Sequence, residues 1–214
     1  MDDDLLTSFR TALGPGPVVA ATGRALLDRY AEPHRAYHDT QHLREVLNAL
    51  GLLRPAGTLP LAVVCAAFWH DAVYDPTATD NEQRSAELAA TSLRGLGEVP
   101  VSADEVHRLV LLTVSHQPRH GDPDGALLCD ADLAVLAAAP DRYAAYTAGI
   151  RREYGHLGDE AFRAGRGDVL RSLLDRPALF TTPAGRTRWE AVARRNVQRE
   201  LAELSASGGA APRP

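Results

Sequence analysis

The chain has 214 residues, 45% of them apolar, with 23 Lys+Arg set against 28 Asp+Glu. That is enough apolar material for one sizeable core, and the mild acidity excludes a general electrostatic attraction to nucleic acid polymers or anionic lipid, leaving only a local basic patch open. The stretch from Met1 to Arg10 is acidic rather than basic-then-apolar, and the longest apolar run, Leu59 to Trp69, is about half of a bilayer span; the expectation is a cytoplasmic protein with no membrane partner.

Helical spacing recurs and strand alternation is nearly absent, so the expected fold class is all-α. A first helix is predicted over Asp3 to Leu13, ended by Gly14-Pro15-Gly16-Pro17, and a second over Val18 to Ala31, stopped by Pro33. The third runs from Thr40 to Leu53, with Asp39 as N-cap and Leu43, Val46, Leu47 and Leu50 on one face. Leu61 to Asp71 is apolar on all sides, which marks a helix in the middle of the fold. Helices over Asp80 to Leu96 and Ser102 to Ser115 follow, the latter with Glu105 at the capping-box position. Ala126 to Ala138, Asp141 to Tyr154, Asp159 to Leu174 and Arg186 to Leu204 complete about nine or ten helices. Short loops make residues 1–204 one globular bundle, while 205–214, rich in small residues, Gly and Pro, read as a disordered tail. Cys65 and Cys129 lie inside apolar runs and read as buried free thiols.

The informative residues are His and Asp. His70 and Asp71 end the buried apolar helix, where charge is costly unless paired or bound to metal. His42 lies in the first turn of the third helix, one turn after His38. Asp132 sits among Leu128, Val135 and Leu136, which puts its carboxylate on a core-facing stripe. Each also has a plainer reading: a hydrogen-bonded core histidine, a capping Asp, or an Asp stabilised by a helix dipole. The dipole reading suits Asp130, taken as close to its helix start, better than Asp132.

The order of His42 in Tyr37-His38-Asp39-Thr40-Gln41-His42, the pair His70-Asp71 after Ala-Ala-Phe-Trp, and Asp132 in Asp130-Ala131-Asp132-Leu133 resembles the HD superfamily of metal-dependent phosphohydrolases. The stretch from Phe68 to Tyr74, with Asn81-Glu82 and Ser85-Ala86, is similar to a bacterial subgroup of predicted HD phosphohydrolases, and the likeness spans residues 25 to 200. The resemblance implies an HD-like helical fold and one divalent ion held by His42, His70, Asp71 and Asp132. Two imidazoles and two carboxylates suit Mn, Co, Ni, Fe or Zn, with Mg also admitted. Such an ion acidifies a water and withdraws charge from a phosphoryl oxygen, which favours hydrolysis of a phosphate ester or anhydride.

Some HD nucleotidases carry Glu three residues after the pair; Tyr74 stands there in this chain. Asp75, Glu82 and His116 are therefore the candidates for acid, base or bound-water contacts, with Asp130 a further acidic candidate. Arg35, His38, Arg84 and Arg151 are candidate contacts to a phosphorylated substrate. The expected partner is a small phosphorylated metabolite such as a nucleotide, and a homodimer is left open. Two alternatives stand beside this reading: an HD-fold diiron oxygenase, with His116 anchoring a second iron, and a metal-bearing module that senses a nucleotide without turning it over.

Overall fold

In the computed structural model, which describes residues 3–54 and 57–206, the chain is an all-helical bundle. Among the described residues there is no strand, and no helix is long and apolar enough to cross a membrane.

Helix α1 (Asp3–Leu13) buries Leu5, Phe9 and Leu13, one stripe at a spacing of four. Phe9 meets the centre of the fold edge-on, its ring 5.1 Å from Phe68 and 5.3 Å from Trp69. Gly14, at φ 107°, turns the chain, and α2 (Pro17–Tyr30) starts on a proline that needs no N–H partner. Helix α3 (Thr40–Leu53) begins as its sequence predicts: the Asp39 side chain accepts from the N–H groups of Gln41 and His42.

The centre is α4 (Leu61–Trp69), packed against α1 and α3 and against the later helices α5 (Asn81–Gly95), α6 (Ala103–Leu112) and α7 (Pro123–Asp132). Its all-apolar sequence is explained by neighbours on every side. Truncating Phe68 or Trp69 to Ala would cost about 3–5 kcal/mol. The helix stops at Trp69, so His70 and Asp71 lie in the turn beyond it rather than in its last turn. That corrects the expected boundary and frees their side chains from the helical register.

The predicted helix over Ala126 to Ala138 is two elements. Helix α7 starts earlier, at Pro123, with Asp122 capping Gly125 N, and a 3-10 helix (Leu133–Ala137) takes over at Asp132. Asp130 is consequently near the end of its helix, not near the start. Helices α8 (Pro140–Glu153) and α9 (Asp159–Leu174) follow. The last, α10 (Pro183–Ala206), packs on α9 and on the 3-10 helix, where Asn196 Nδ2 donates to Leu136 O at 2.9 Å and Ala138 O at 3.0 Å. It includes Ser205 and Ala206, which the sequence places in the tail; the rest of that tail, 207–214, lies outside the described residues. Cys65 and Cys129 are free and buried, and burial alone pushes the Cys65 thiol up to about 12, so neither offers a thiolate.

Candidate metal centre

Three elements deliver the donors. Helix α3 contributes His42 from its first turn, the turn after α4 contributes His70 and Asp71, and the last residue of α7 is Asp132. His42 Nε2 and His70 Nε2 face each other at 3.0 Å. Asp71 Oδ2 lies 3.0 Å from His70 Nε2 and 3.3 Å from His42 Nε2, and Asp132 Oδ1 lies 3.6 Å and 3.2 Å from the same two atoms. Donors about 2.1 Å from one ion stand about 3.0 Å apart along octahedral edges and about 3.4 Å along tetrahedral ones, so the mutual separations of His42 Nε2, His70 Nε2 and Asp132 Oδ1 are compatible with one shared ion, and Asp71 Oδ2 adjoins the two imidazoles. His42, His70 and Asp132 form a group that could hold a metal ion.

The chemistry of the donors fits as well. His70 Nδ1 lies 2.8 Å from Ala67 O; a carbonyl only accepts, so Nδ1 carries a proton and Nε2 is the nitrogen turned into the cluster, where an ion would replace any proton it holds. His42 Nδ1 is buried without a partner, so nothing at that nitrogen fixes the ring; what faces Nε2 does.

Burial opposes protonation of His42, but hydrogen bonds to Asp132 and Asp71 outweigh it and raise its pKa to about 8. Burial likewise opposes ionisation of Asp132, and the His70 charge with hydrogen bonds from His116, His42 and His70 holds it well below the usual range. Two buried imidazoles facing two carboxylates thus compete for protons where a cation would serve the same carboxylates.

His116 supports Asp132. Its Nε2–H donates to Asp132 Oδ2 at 2.7 Å, so that nitrogen carries a proton rather than facing an ion. The residue sits at φ 50°, the left-handed region that side chains other than Gly and Asn rarely adopt. Such a conformation costs about 1–3 kcal/mol and persists where the surroundings impose it. His116→Gly is therefore expected to match or exceed the thermal stability of the wild type while weakening metal affinity about tenfold to hundredfold, as for other lost supporting contacts. Unchanged affinity in a metal titration would remove His116 from this role.

Glu153, the last residue of α8, organises the approach to His42. Its Oε1 accepts from the N–H groups of Ala36 (2.7 Å), Tyr37 (2.7 Å) and His38 (3.0 Å), while Oε2 accepts from His38 Nδ1 at 2.7 Å and the Tyr74 hydroxyl at 2.9 Å. The helix can come this close because residue 149 is Gly: a Cβ there would stand 2.7 Å from Ala36 O. Burial pushes the Glu153 pKa up, and the hydrogen bonds and charge of His38 with the backbone donors bring it down to about 2. With Nδ1–H given to Glu153, His38 keeps Nε2 for the adjoining cavity, which it lines with Asp132, His116 and Glu82.

The remaining predicted contacts have structural employment. The side chain of Arg35 is fully enclosed, donating to the carbonyls of His38 (2.9 Å), Asp71 (2.7 Å) and Ala72 (3.3 Å) and to Glu32 (3.1 Å). It holds the turn carrying His70 and Asp71 and has no face left for a substrate. Arg151 closes the end of α8 on Tyr154 O and Leu157 O and pairs with Asp159 at 2.7 Å. Arg84 is exposed, 3.7 Å from Asp80. The Asp75 carboxylate accepts from Thr77 N and Oγ1, and Asn81 bonds the Asp75 backbone, so Asp75 shapes the loop into α5 instead of entering the cavity. Ser85 holds Val73 in the same loop.

Sequence reasoning missed Glu153 and Glu200, although both carried a signal. Glu153 continues the buried stripe Tyr143, Tyr146, Ile150, and Glu200 continues Trp189, Ala193, Val197. A carboxylate on an apolar stripe needs a partner; for Glu200 these are Arg166 Nε at 2.7 Å and the Tyr143 hydroxyl at 2.6 Å. Compared with protein-family models, curated proteins and solved structures, the chain matches none of them, so its functional reading rests on its own residues.

Proposed function

We propose that the protein is a metal-dependent hydrolase of a small phosphorylated metabolite, working as HD-type enzymes do. One observation carries this reading: His42 Nε2, His70 Nε2 and Asp132 Oδ1 converge at separations of 3.0–3.6 Å, with Asp71 Oδ2 3.0 Å and 3.3 Å from the two imidazoles, beside a cavity that Asp132 itself lines. These four residues would hold one divalent ion. Such an ion supplies Lewis acidity, lowering the pKa of a water and drawing charge from a phosphoryl oxygen.

The chain's own residues supply the rest. His116 fixes the outer oxygen of Asp132. Glu153 orients His38 so that Nε2 can accept a proton from the attacking water or return one to the leaving oxygen. Glu82, at the cavity wall, is a second acid-base group within that space. Arg176 lines the same cavity with its Nη atoms on Ser115 O and His116 O, and it has no carboxylate partner among the described residues, which suits it to an anionic substrate.

The test is a screen of phosphoesters against Mn, Co, Ni, Zn, Fe and Mg, with Asp71→Ala as control. Release of inorganic phosphate over many turnovers, absent in the variant, is the expected result. Tight metal and nucleotide binding without turnover would replace the enzyme by a sensing module, and two irons per chain in coloured protein would turn the reading to an oxygenase. Metal removal has its own expected outcome. An ion at a hundredfold excess over its dissociation constant adds about 2.7 kcal/mol to stability, so a chelator should lower the melting temperature. Because His42 must shed its proton to bind, affinity should fall as pH drops through about 8. A melting temperature indifferent to chelator after confirmed metal loss would count against the site.

A further inference from the structure

The cavity beside the donor cluster takes polar groups from the donor side and apolar side chains from α8, α9 and the 3-10 helix, and the two sets specify different parts of a ligand. Its volume is about 610 Å³, inside the range of roughly 300–1,000 Å³ typical of small-molecule sites. At one end stand Asp132, His116 and His38. Away from them the wall is built by Val135 of the 3-10 helix, Ile150 of α8, and Phe162, Val169 and Leu173 of α9.

Val114 and Val169 are exposed by 65% and 49%, and both border this cavity. Exposed aliphatic groups at the rim of a concave site supply surface that an apolar ligand would remove from water.

The charged groups along the body do not offset this. Arg166 lines it, but its guanidinium is spent on Glu200, at 2.7 Å and 3.1 Å, and on the Tyr146 hydroxyl at 2.7 Å, with the side chain only 9% exposed. Arg176 lies near the polar end, tied to the backbone of Ser115 and His116. Glu82, Ser172 and the tyrosines add polar atoms to the lining, but the wall that α9 and the 3-10 helix present through Val135, Phe162, Val169 and Leu173 is aliphatic and aromatic, and hydroxyls or charges left unpaired against it are costly.

We infer that the ligand is amphiphilic: a phosphomonoester of an apolar alcohol or phenol, its phosphoryl group at the Asp132, His116 and His38 end and its alkyl or aryl body along α8 and α9. The phosphoryl half rests on the proposed function; the apolar half rests on the cavity wall alone.

Calorimetric titration of the manganese-loaded chain with inorganic phosphate and with methyl-, butyl-, phenyl- and ribose-bearing phosphonates tests both halves. A buried methylene is worth about fourfold in affinity, so butylphosphonate should bind at least about tenfold more tightly than methylphosphonate, with phenylphosphonate alike. Val169→Asp, at a half-exposed position on α9, and Phe162→Ala should cut that gain below about threefold while phosphate binds as before. A flat series, or preference for the ribose body, overturns the inference. If no phosphoryl compound binds but butanol and phenol do, and Val169→Asp abolishes this, the apolar chamber stands and the phosphoryl end falls with the proposed function.

Discussion

Asp132→Ala is expected to strip the metal and abolish phosphate release, whereas Asp130→Ala, two residues away, should keep its metal and lose stability instead. The two carboxylates face different structures. Asp132 presents Oδ1 to both donor imidazoles and Oδ2 to His116, so its removal deletes a donor outright and should exceed the about tenfold to hundredfold loss typical of a supporting partner. Asp130 is buried, and it accepts from Thr181 N at 2.7 Å, Thr182 N at 2.8 Å and Thr182 Oγ1 at 2.6 Å, pinning the start of α10. Three donors left without an acceptor, at about 1–3 kcal/mol each when buried, make a loss on the order of 3 kcal/mol. Elemental analysis and denaturant unfolding of the two variants separate the effects. Metal retained by Asp132→Ala and lost from Asp130→Ala would reverse the assignment.

Glu153→Ala should be the most damaging change outside the donor set. It removes the acceptor shared by three backbone N–H groups, the Tyr74 hydroxyl and His38 Nδ1. Stripping a buried charge from such a network costs about 3–5 kcal/mol. His38 then loses its orientation, and with general acid-base catalysis worth about a hundredfold or more, turnover should fall by that factor. Glu153→Gln, which keeps an oxygen for the backbone donors, should recover most of the stability and little of the rate.

The pH dependence follows from the same contacts. The carboxyl ionises at about 2 when folded against an ordinary value of 4.5, so its stabilisation is complete above 4.5 and is lost as pH falls toward 2. Glu153→Gln lacks that term, and its unfolding midpoint should decline less than that of the wild type between those two pH values. Parallel declines, with wild-type turnover, would leave Glu153 no part in either stability or rate.

How much was legible in the sequence varies with the range of the physics. The bounds of α1, α3 and α9 fall where periodicity puts them, with the Asp39 cap fixing the start of α3, because both signals act within one or two turns. The sequence predicts one helix over 126–138, whereas Asp122-Pro123 starts it a turn earlier and the change to a 3-10 helix at Asp132 leaves no mark in apolar spacing. Arg35 and Asp75 stand out in the sequence by nearness to His42 and to the His70-Asp71 pair, and Arg151 as a cation on a later helix. Neither nearness along a chain nor residue type says which way a side chain points, and these three hold backbone in place.

The sequence by itself determined the all-helical class, the central apolar helix, and the order of His42, His70-Asp71 and Asp132, since residue type and periodicity are local properties. Tertiary structure alone decided that donor atoms from α3, the turn after α4 and the end of α7 stand within 3.6 Å of one another. It also decided that Glu153 reaches back 115 residues to His38, and that α8, α9 and the 3-10 helix line one cavity with His38, His116 and Asp132. The reason is physical: a carboxylate or imidazole buried on an apolar stripe announces that it must have a partner, but only the packing of distant helices says which one.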